Sequence, residues 1–360
     1  MIKSCYIHIP FCSNICSYCD FCKFFYDEDT LDLYLLALDK EIEANYKQDE
    51  LDTIYIGGGT PSVLKMGQLE KLFEIVDNLM VSNNFEFTFE CNVNDLTEEK
   101  LTFLKKHRVN RLSIGVESFQ EENLSFLERS IDINKIIENV NLAKTYFANI
   151  NLDLMYAIPG EDITDLKSDL ELFLSLDVSH ISTYSLIIED NTKLKVKKTD
   201  SIDEDTDRIM YDMIHNTLTA NGYIHYEISN FGKEGNFSRH NLTYWNNHMY
   251  YGFGLGASGY VDGVRYTNTR NIKKYLADNY IDISESVDTF SDASNYAILG
   301  LRTIYGVDNI EFMNKFGKDF IEYFNAYDLI NDNVILKKDN RYYLSYKYWY
   351  IQNEILIKFI

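Results

Sequence analysis

Short apolar runs alternate, along the first half of the chain, with longer stretches in which apolar residues recur every three or four positions. The runs at 5–9, 53–56, 85–89, 111–116, 149–156 and 180–186 read as strands by their hydrophobic period. Between the first two, Leu31, Tyr34, Leu35, Leu38 and Ile42 stand at helical spacing, with Thr30 placed to cap the helix. Thr97, followed by Glu98 and Glu99, marks another helix start, with acids where the helix dipole favours them. Strands and helices in strict alternation predict an α/β fold with a parallel sheet and right-handed crossovers. A partial (β/α)6 barrel is the expected form, with a doubly wound sheet as the alternative.

Residues 193–207 are charged and aperiodic, which predicts a surface linker ahead of a helix starting near Thr206. Glycine, asparagine and aromatics crowd residues 221–269; helices return from about 291, followed by strands at 334–336 and 342–344. The expected division is a barrel over 1–200, an intermediate region over 201–290, and a smaller C-terminal α+β domain, winged-helix-like, over 291–360. Pro10, Pro61 and Pro159, the three prolines of the chain, each follow a strand run beside a Cys- or Gly-containing loop, where a missing N–H does no harm.

At 360 residues with 46% hydrophobic and 25% charged positions, the chain can bury a sizeable core. Its net charge of −22 repels nucleic-acid phosphate, so the winged-helix shape is not read as DNA recognition. No apolar run approaches the roughly 18 residues of a membrane span, and no apolar leader precedes the first cysteines, so the cytoplasm is the expected compartment.

Chemistry concentrates after the first strand, where Cys12, Cys16 and Cys19 form CxxxCxxC. Three thiolates at this spacing can hold three corners of a [4Fe–4S] cluster and leave one iron open. An open iron can take the amino and carboxylate groups of S-adenosylmethionine, whose reductive cleavage makes a radical. A zinc site normally draws on two separated ligand pairs, and a disulfide set does not suit a cytosolic chain. Cys22 is a further thiol, either a bystander or a fourth ligand; Cys5 and Cys91 read as small buried hydrophobes. A glycine loop, Gly57-Gly58-Gly59-Thr60-Pro61-Ser62, follows the second strand and permits close backbone approach to a ligand. Glu90 ends the third strand, Glu117 the fourth, and Asp153 lies on the fifth; the Ile158-Pro159-Gly160 turn and Glu189 follow the fifth and sixth. All of these gather at one end of successive strands, where a parallel barrel builds its active site.

The run Tyr6-Ile7-His8-Ile9-Pro10-Phe11-Cys12 through Cys19-Asp20-Phe21 resembles the radical S-adenosylmethionine proteins related to anaerobic coproporphyrinogen III oxidase. The glycine loop, Arg111-Leu112-Ser113-Ile114-Gly115, Asp153-Leu154, Tyr226-Glu227-Ile228-Ser229-Asn230-Phe231, Ser238-Arg239-His240-Asn241 and Leu299-Gly300-Leu301-Arg302 continue the likeness in order. His240-Asn241-Leu242-Thr243-Tyr244-Trp245 is similar to the HNxxYW pattern of the HemW branch, the haem chaperones. The oxidases carry a longer N-terminal segment and Cys-x-Cys where this chain has Cys19-Asp20-Phe21.

The resemblance implies that Cys12, Cys16 and Cys19 bind the cluster, with Tyr6 and Tyr18 beside the cofactor. It places Gly58, Gly59 and Thr60 at the methionine moiety, Glu90 on the ribose, Arg129 on a carboxylate, and Asp153 completing the pocket. Glu117 stands where the family usually has Gln, and the acceptor-only carboxylate changes what that position can hydrogen-bond. Ile131, Val93, Ala157 and Asn295 also depart, from His, Pro, Gly and Glu. The implied function is a haem chaperone that binds haem as cargo and delivers it to an acceptor protein, with a separate electron donor for the cluster. A radical decarboxylase of coproporphyrinogen III and an iron–sulfur electron carrier are the alternatives. Among the seven histidines, His240 is the candidate axial ligand to haem or else a loop anchor hydrogen-bonded beside Arg239 and Asn241.

Overall fold

The computed structural model describes residues 1–129 and 131–360. Strands β1 (Ser4–Ile9), β2 (Leu51–Gly58), β3 (Val81–Asn92), β4 (Arg111–Glu117), β5 (Asn149–Tyr156) and β6 (His180–Ser185) lie side by side in chain order, all parallel. Helices α1 (Glu28–Asn45), α2 (Met66–Val76), α3 (Glu98–Lys106), α4 (Ile133–Tyr146), α5 (Ile163–Ser175) and α6 (Glu204–Ala220) follow them one by one. Ile7, Ile54, Phe87, Leu112, Leu152 and Ile181 run through the middle of this sheet fully buried.

The sheet does not end at β6, as the sequence leads one to expect. Strands β7 (Ile224–Glu227) and β8 (Asn230–Gly232) extend it, β8 antiparallel to β6 and β7 antiparallel to β8. At the opposite edge β9 (Tyr251–Phe253) runs parallel to β1. The order β9-β1-β2-β3-β4-β5-β6-β8-β7 leaves the two edge strands unpaired with each other, so the barrel is partial and open. These added strands are three or four residues long, too short for a periodicity, and tertiary contact decides them. At Gly252 in β9, an added Cβ would lie 1.8 Å from the Ser258 carbonyl oxygen, so only glycine lets the two backbones meet.

The cap of helix α1 lies three residues before the expected Thr30. Asp27 is the cap: its carboxylate accepts the Thr30 N–H at 2.9 Å and the Thr30 hydroxyl at 2.5 Å, so Thr30 is a donor inside the first turn. On the buried face of α1, Glu41 accepts from the Gly254 N–H (2.8 Å), Asn268 Nδ2 (2.6 Å) and the Tyr275 hydroxyl (2.5 Å). One buried carboxylate with three donors thereby ties the region after β9 to the barrel.

The charged stretch after β6 is not a plain linker. It contains a short helix, Lys193–Val196, capped by Thr192, whose Leu194 N–H donates to the Ser17 carbonyl at 3.2 Å. Residues from 293 onward build a second core around Ala297, Leu301, Phe312, Phe320 and Phe359. A small antiparallel sheet of Val307–Asp308, Arg341–Leu344 and Ile335–Lys338 covers it, which is the expected arrangement of helices and a β-wing. Among the described residues, no helix is long and apolar enough to cross a membrane.

Candidate functional site

The C-terminal ends of β1 to β6 open on one cavity of about 490 Å³. The β1–α1 loop brings Cys12, Cys16 and Cys19 to it, and the glycine loop brings Gly58, Gly59 and Thr60. Glu90, Glu117 and Asp153 reach it from β3, β4 and β5, and Tyr18 and Arg129 close it from the loops. The sequence thus predicted most of the residues that meet here. The Ile158-Pro159-Gly160 turn and Glu189 are not among the lining residues.

Backbone pairing shapes the cysteine loop. Phe11–Cys12 and Phe24–Phe25 form a parallel pair that clasps its two ends, with Tyr26 N–H donating to the Cys12 carbonyl at 2.9 Å. The middle is held by Ser17, whose N–H and hydroxyl donate to Leu127 O (3.1 Å) and Phe126 O (3.0 Å). Burial pushes the Cys12 thiol up to about 11 and raises Cys19. Lys23 works against both shifts, and Arg129 Nη1 lies 3.9 Å from Cys16 Sγ, so cations flank the thiols where iron would replace their protons. Among the described residues, no three Cys, His, Asp or Glu side chains are grouped to hold a single metal ion.

Cys22 turns the other way. It lines a second, smaller cavity of about 370 Å³ with Tyr6, His8 and Arg270, and it is absent from the lining of the first. Cys5 and Cys91 are buried, as expected.

The glycines of the β2 loop answer first to packing. The Gly59 N–H donates to Ile9 O at 2.9 Å, and a Cβ there would come within 2.8 Å of Phe11 O and 2.9 Å of Ile9 O. At Gly58, with φ +116°, a Cβ would strike the His8 ring at 2.4 Å. The loop is small because the backbone leading into the cysteine loop presses on it. Gly58 N–H also donates to Glu90 Oε2 at 2.9 Å, while the Tyr55 hydroxyl donates to Oε1 at 2.6 Å. Burial pushes Glu90 up to about 7, against these donors and the Arg111 charge. Glu90 sits two residues inside β3, which runs on to Asn92, rather than at its end.

Arg129 Nη1 lies 3.0 Å from Glu117 Oε1, and Nη2 donates to Gly115 O at 2.8 Å. Asp153 accepts from Asn151 Nδ2 at 2.8 Å, and burial raises its carboxyl above the usual range. The same Asn151 amide donates to Ser113 Oγ at 2.9 Å, and Ser182 donates to Asn151 Oδ1 at 3.0 Å. The sequence reading missed Arg111, Ser113, Asn151 and Ser182 as lining residues. A period-2 signal could have found them: Arg111, Ser113, Gly115 and Asn151, Asp153 alternate with apolar residues, so each set points to one face.

Two expected site residues lie elsewhere. Tyr6 does not reach the first cavity; its hydroxyl donates to His8 Nδ1 at 2.8 Å, because His8 Nε2–H is committed to Cys22 O. His240, in α7 (Arg239–Trp245), is 1% exposed with both ring nitrogens used, Nδ1 by Thr53 Oγ1 at 2.8 Å and Nε2 by the Tyr244 hydroxyl at 2.7 Å. Its N–H and that of Arg239 donate to the buried Glu86 carboxylate at 3.0 and 3.1 Å. Both ring nitrogens are thus engaged, and burial lowers the His240 pKa to about 3.

Comparison with known proteins follows the same lines. A family model described as the radical SAM superfamily matches residues 6–173. The chain is 40% identical to the heme chaperone HemW of Lactococcus lactis subsp. lactis (strain IL1403), across 99% of this chain and 97% of that protein. It is 37% identical to the heme chaperone HemW of Bacillus subtilis (strain 168), across 100% and 99%. Among solved structures, the coproporphyrinogen III oxidase HemN of Escherichia coli superposes with a TM-score of 0.88, covering 99% of this chain and 90% of that one at 20% identity. That likeness shows a common fold.

Proposed function

Because the chain belongs to the HemW family of the radical SAM superfamily, we propose that it is a haem chaperone that binds haem and passes it to an acceptor protein. In this reading Cys12, Cys16 and Cys19 hold a [4Fe–4S] cluster, and the rest of the cavity receives S-adenosylmethionine at the open iron. The observation that carries it is the convergence, in one cavity, of three thiols with Arg129 and the buried carboxyls Glu90, Glu117 and Asp153. The donor set fits both groups: soft thiols suit iron, a guanidinium suits a carboxylate, and acceptor oxygens suit ribose hydroxyls and an ammonium.

When bound and reduced by an electron donor, the cluster supplies one-electron chemistry at the sulfonium. The chain's own residues position and enclose. Tyr55 and Gly58 hold Glu90 rigidly through both of its oxygens, and Asn151 orients Asp153. Arg111, buried beside them with Nε unpartnered, offsets part of their negative charge.

A second reading, oxidation of coproporphyrinogen III, is favoured by the fold shared with HemN. Against it stand Asp20 and Phe21, where the oxidases continue to a further cysteine, and the His240-to-Trp245 motif. The test is to give the reconstituted protein haem in one vessel, and coproporphyrinogen III with reductant and S-adenosylmethionine in another. Stoichiometric haem absorbance without vinyl-group formation is the expected result. Multiple turnovers of decarboxylation would replace the chaperone with the oxidase.

A further inference from the structure

Glu117 stands at the point where the cavity holds its guanidinium. The pairing of β4 with β5 shifts register between Gly115 and Glu117, and Glu117 itself has φ +71°, a left-handed conformation that a non-glycine residue seldom adopts. A bulge of this kind re-aims a side chain. Here it aims the carboxylate at Arg129, with both side chains only 9% exposed. Gly115 keeps the space open: a Cβ there would sit 2.9 Å from Glu117 Oε1 and 3.3 Å from Arg129 Nη2.

The fork of Arg129 is therefore already engaged. Nη2 belongs to the Gly115 carbonyl and Nη1 to Glu117, while Nε is buried without a partner. A guanidinium binds a carboxylate best through two adjacent N–H groups at once, and here both Nη atoms already serve other acceptors while Nε is buried. Resting on the cofactor reading above, we infer that Glu117 is a built-in competitor for Arg129, one that an incoming amino-acid carboxylate must displace, and that it thereby sets the affinity of this chain for S-adenosylmethionine. The ion pair is neutral as a unit, so Glu117 does little for the ligand's positive groups while it holds Arg129. Glutamine at this position keeps the size and an acceptor oxygen but leaves the guanidinium charge uncompensated.

Calorimetry on the anaerobically reconstituted full chain tests this, with S-adenosylmethionine and its decarboxylated analogue as the two probes. Glu117→Gln is expected to tighten S-adenosylmethionine by about tenfold and to leave the analogue within about twofold of wild type. Glu117→Asp, whose shorter side chain retreats from Arg129, is expected to move the same way by less, and it serves if the glutamine variant fails to fold. Unchanged or weaker S-adenosylmethionine binding in the folded variants overturns the inference, as does an equal gain for both probes. If wild type and variants bind neither probe, the cofactor reading itself is what falls.

Discussion

Cys16→Ala, reconstituted without oxygen, is expected to lose nearly all of its iron and sulfide, whereas Cys22→Ala keeps both. The reasoning is spatial. Cys16 lines the large cavity with Cys12 and Cys19, and the Arg129 guanidinium lies 3.9 Å from its sulfur. A cluster deprived of one of three protein thiolates has two points of attachment and two exposed irons, an arrangement that does not survive in water. Cys22 faces the smaller cavity and packs its Cβ where a Cβ on Gly256 would come within 2.5 Å. Its loss removes a buried side chain and no cluster ligand. Iron and acid-labile sulfide analysis reads the outcome, and full cluster content in Cys16→Ala with loss in Cys22→Ala would reverse the ligand assignment.

The second large effect is on stability. His240→Ala is expected to lower it by about 3 kcal/mol, the sum of a cavity left by a buried ring and the partners it abandons. Thr53 and Tyr244 lose their hydrogen bonds of 2.8 and 2.7 Å, and the Tyr55 ring loses a neighbour 5.1 Å away. Haem stoichiometry, measured on the folded fraction, is expected to stay the same, since neither ring nitrogen is free for iron. Chemical denaturation beside a haem titration separates the roles: unchanged stability with a lost haem band would make His240 the axial ligand after all.

Much of the barrel could be read from the chain because short apolar runs such as 53–56 and period-2 runs such as 149–156, in which Ile150, Leu152 and Leu154 are buried, mark the strands directly. Thr97 was recognisable as a cap for a similar reason: its hydroxyl accepts the Lys100 N–H at 3.3 Å, a purely local interaction. Asp27 was overlooked because Thr30 is as good a capping residue by type, and only backbone geometry separates them. The added strands β7, β8 and β9 are hidden because nothing local specifies them; Gly252 signals close approach only once Ser258 is known to lie opposite.

The site followed the same division. Cys12, Cys16 and Cys19 announce themselves by spacing, while Arg111 and Asn151 looked like ordinary strand residues until β4 and β5 brought them to one face. Tyr6 is placed by likeness alone, and in the structure it lines the adjoining smaller cavity, hydrogen-bonded to His8. The Glu117–Arg129 pair joins residues 12 positions apart through a bulge and a loop, and no sequence pattern encodes that meeting.

The account rests on an open iron inside the barrel-end cavity that accepts S-adenosylmethionine. The direct measurement is the paramagnetic spectrum of the reduced, reconstituted protein before and after the cofactor is added. A shift in that spectrum, removed by Cys16→Ala together with the cluster signal, is the predicted result. An unchanged spectrum with no calorimetric binding would contradict it and leave an iron–sulfur electron carrier in its place.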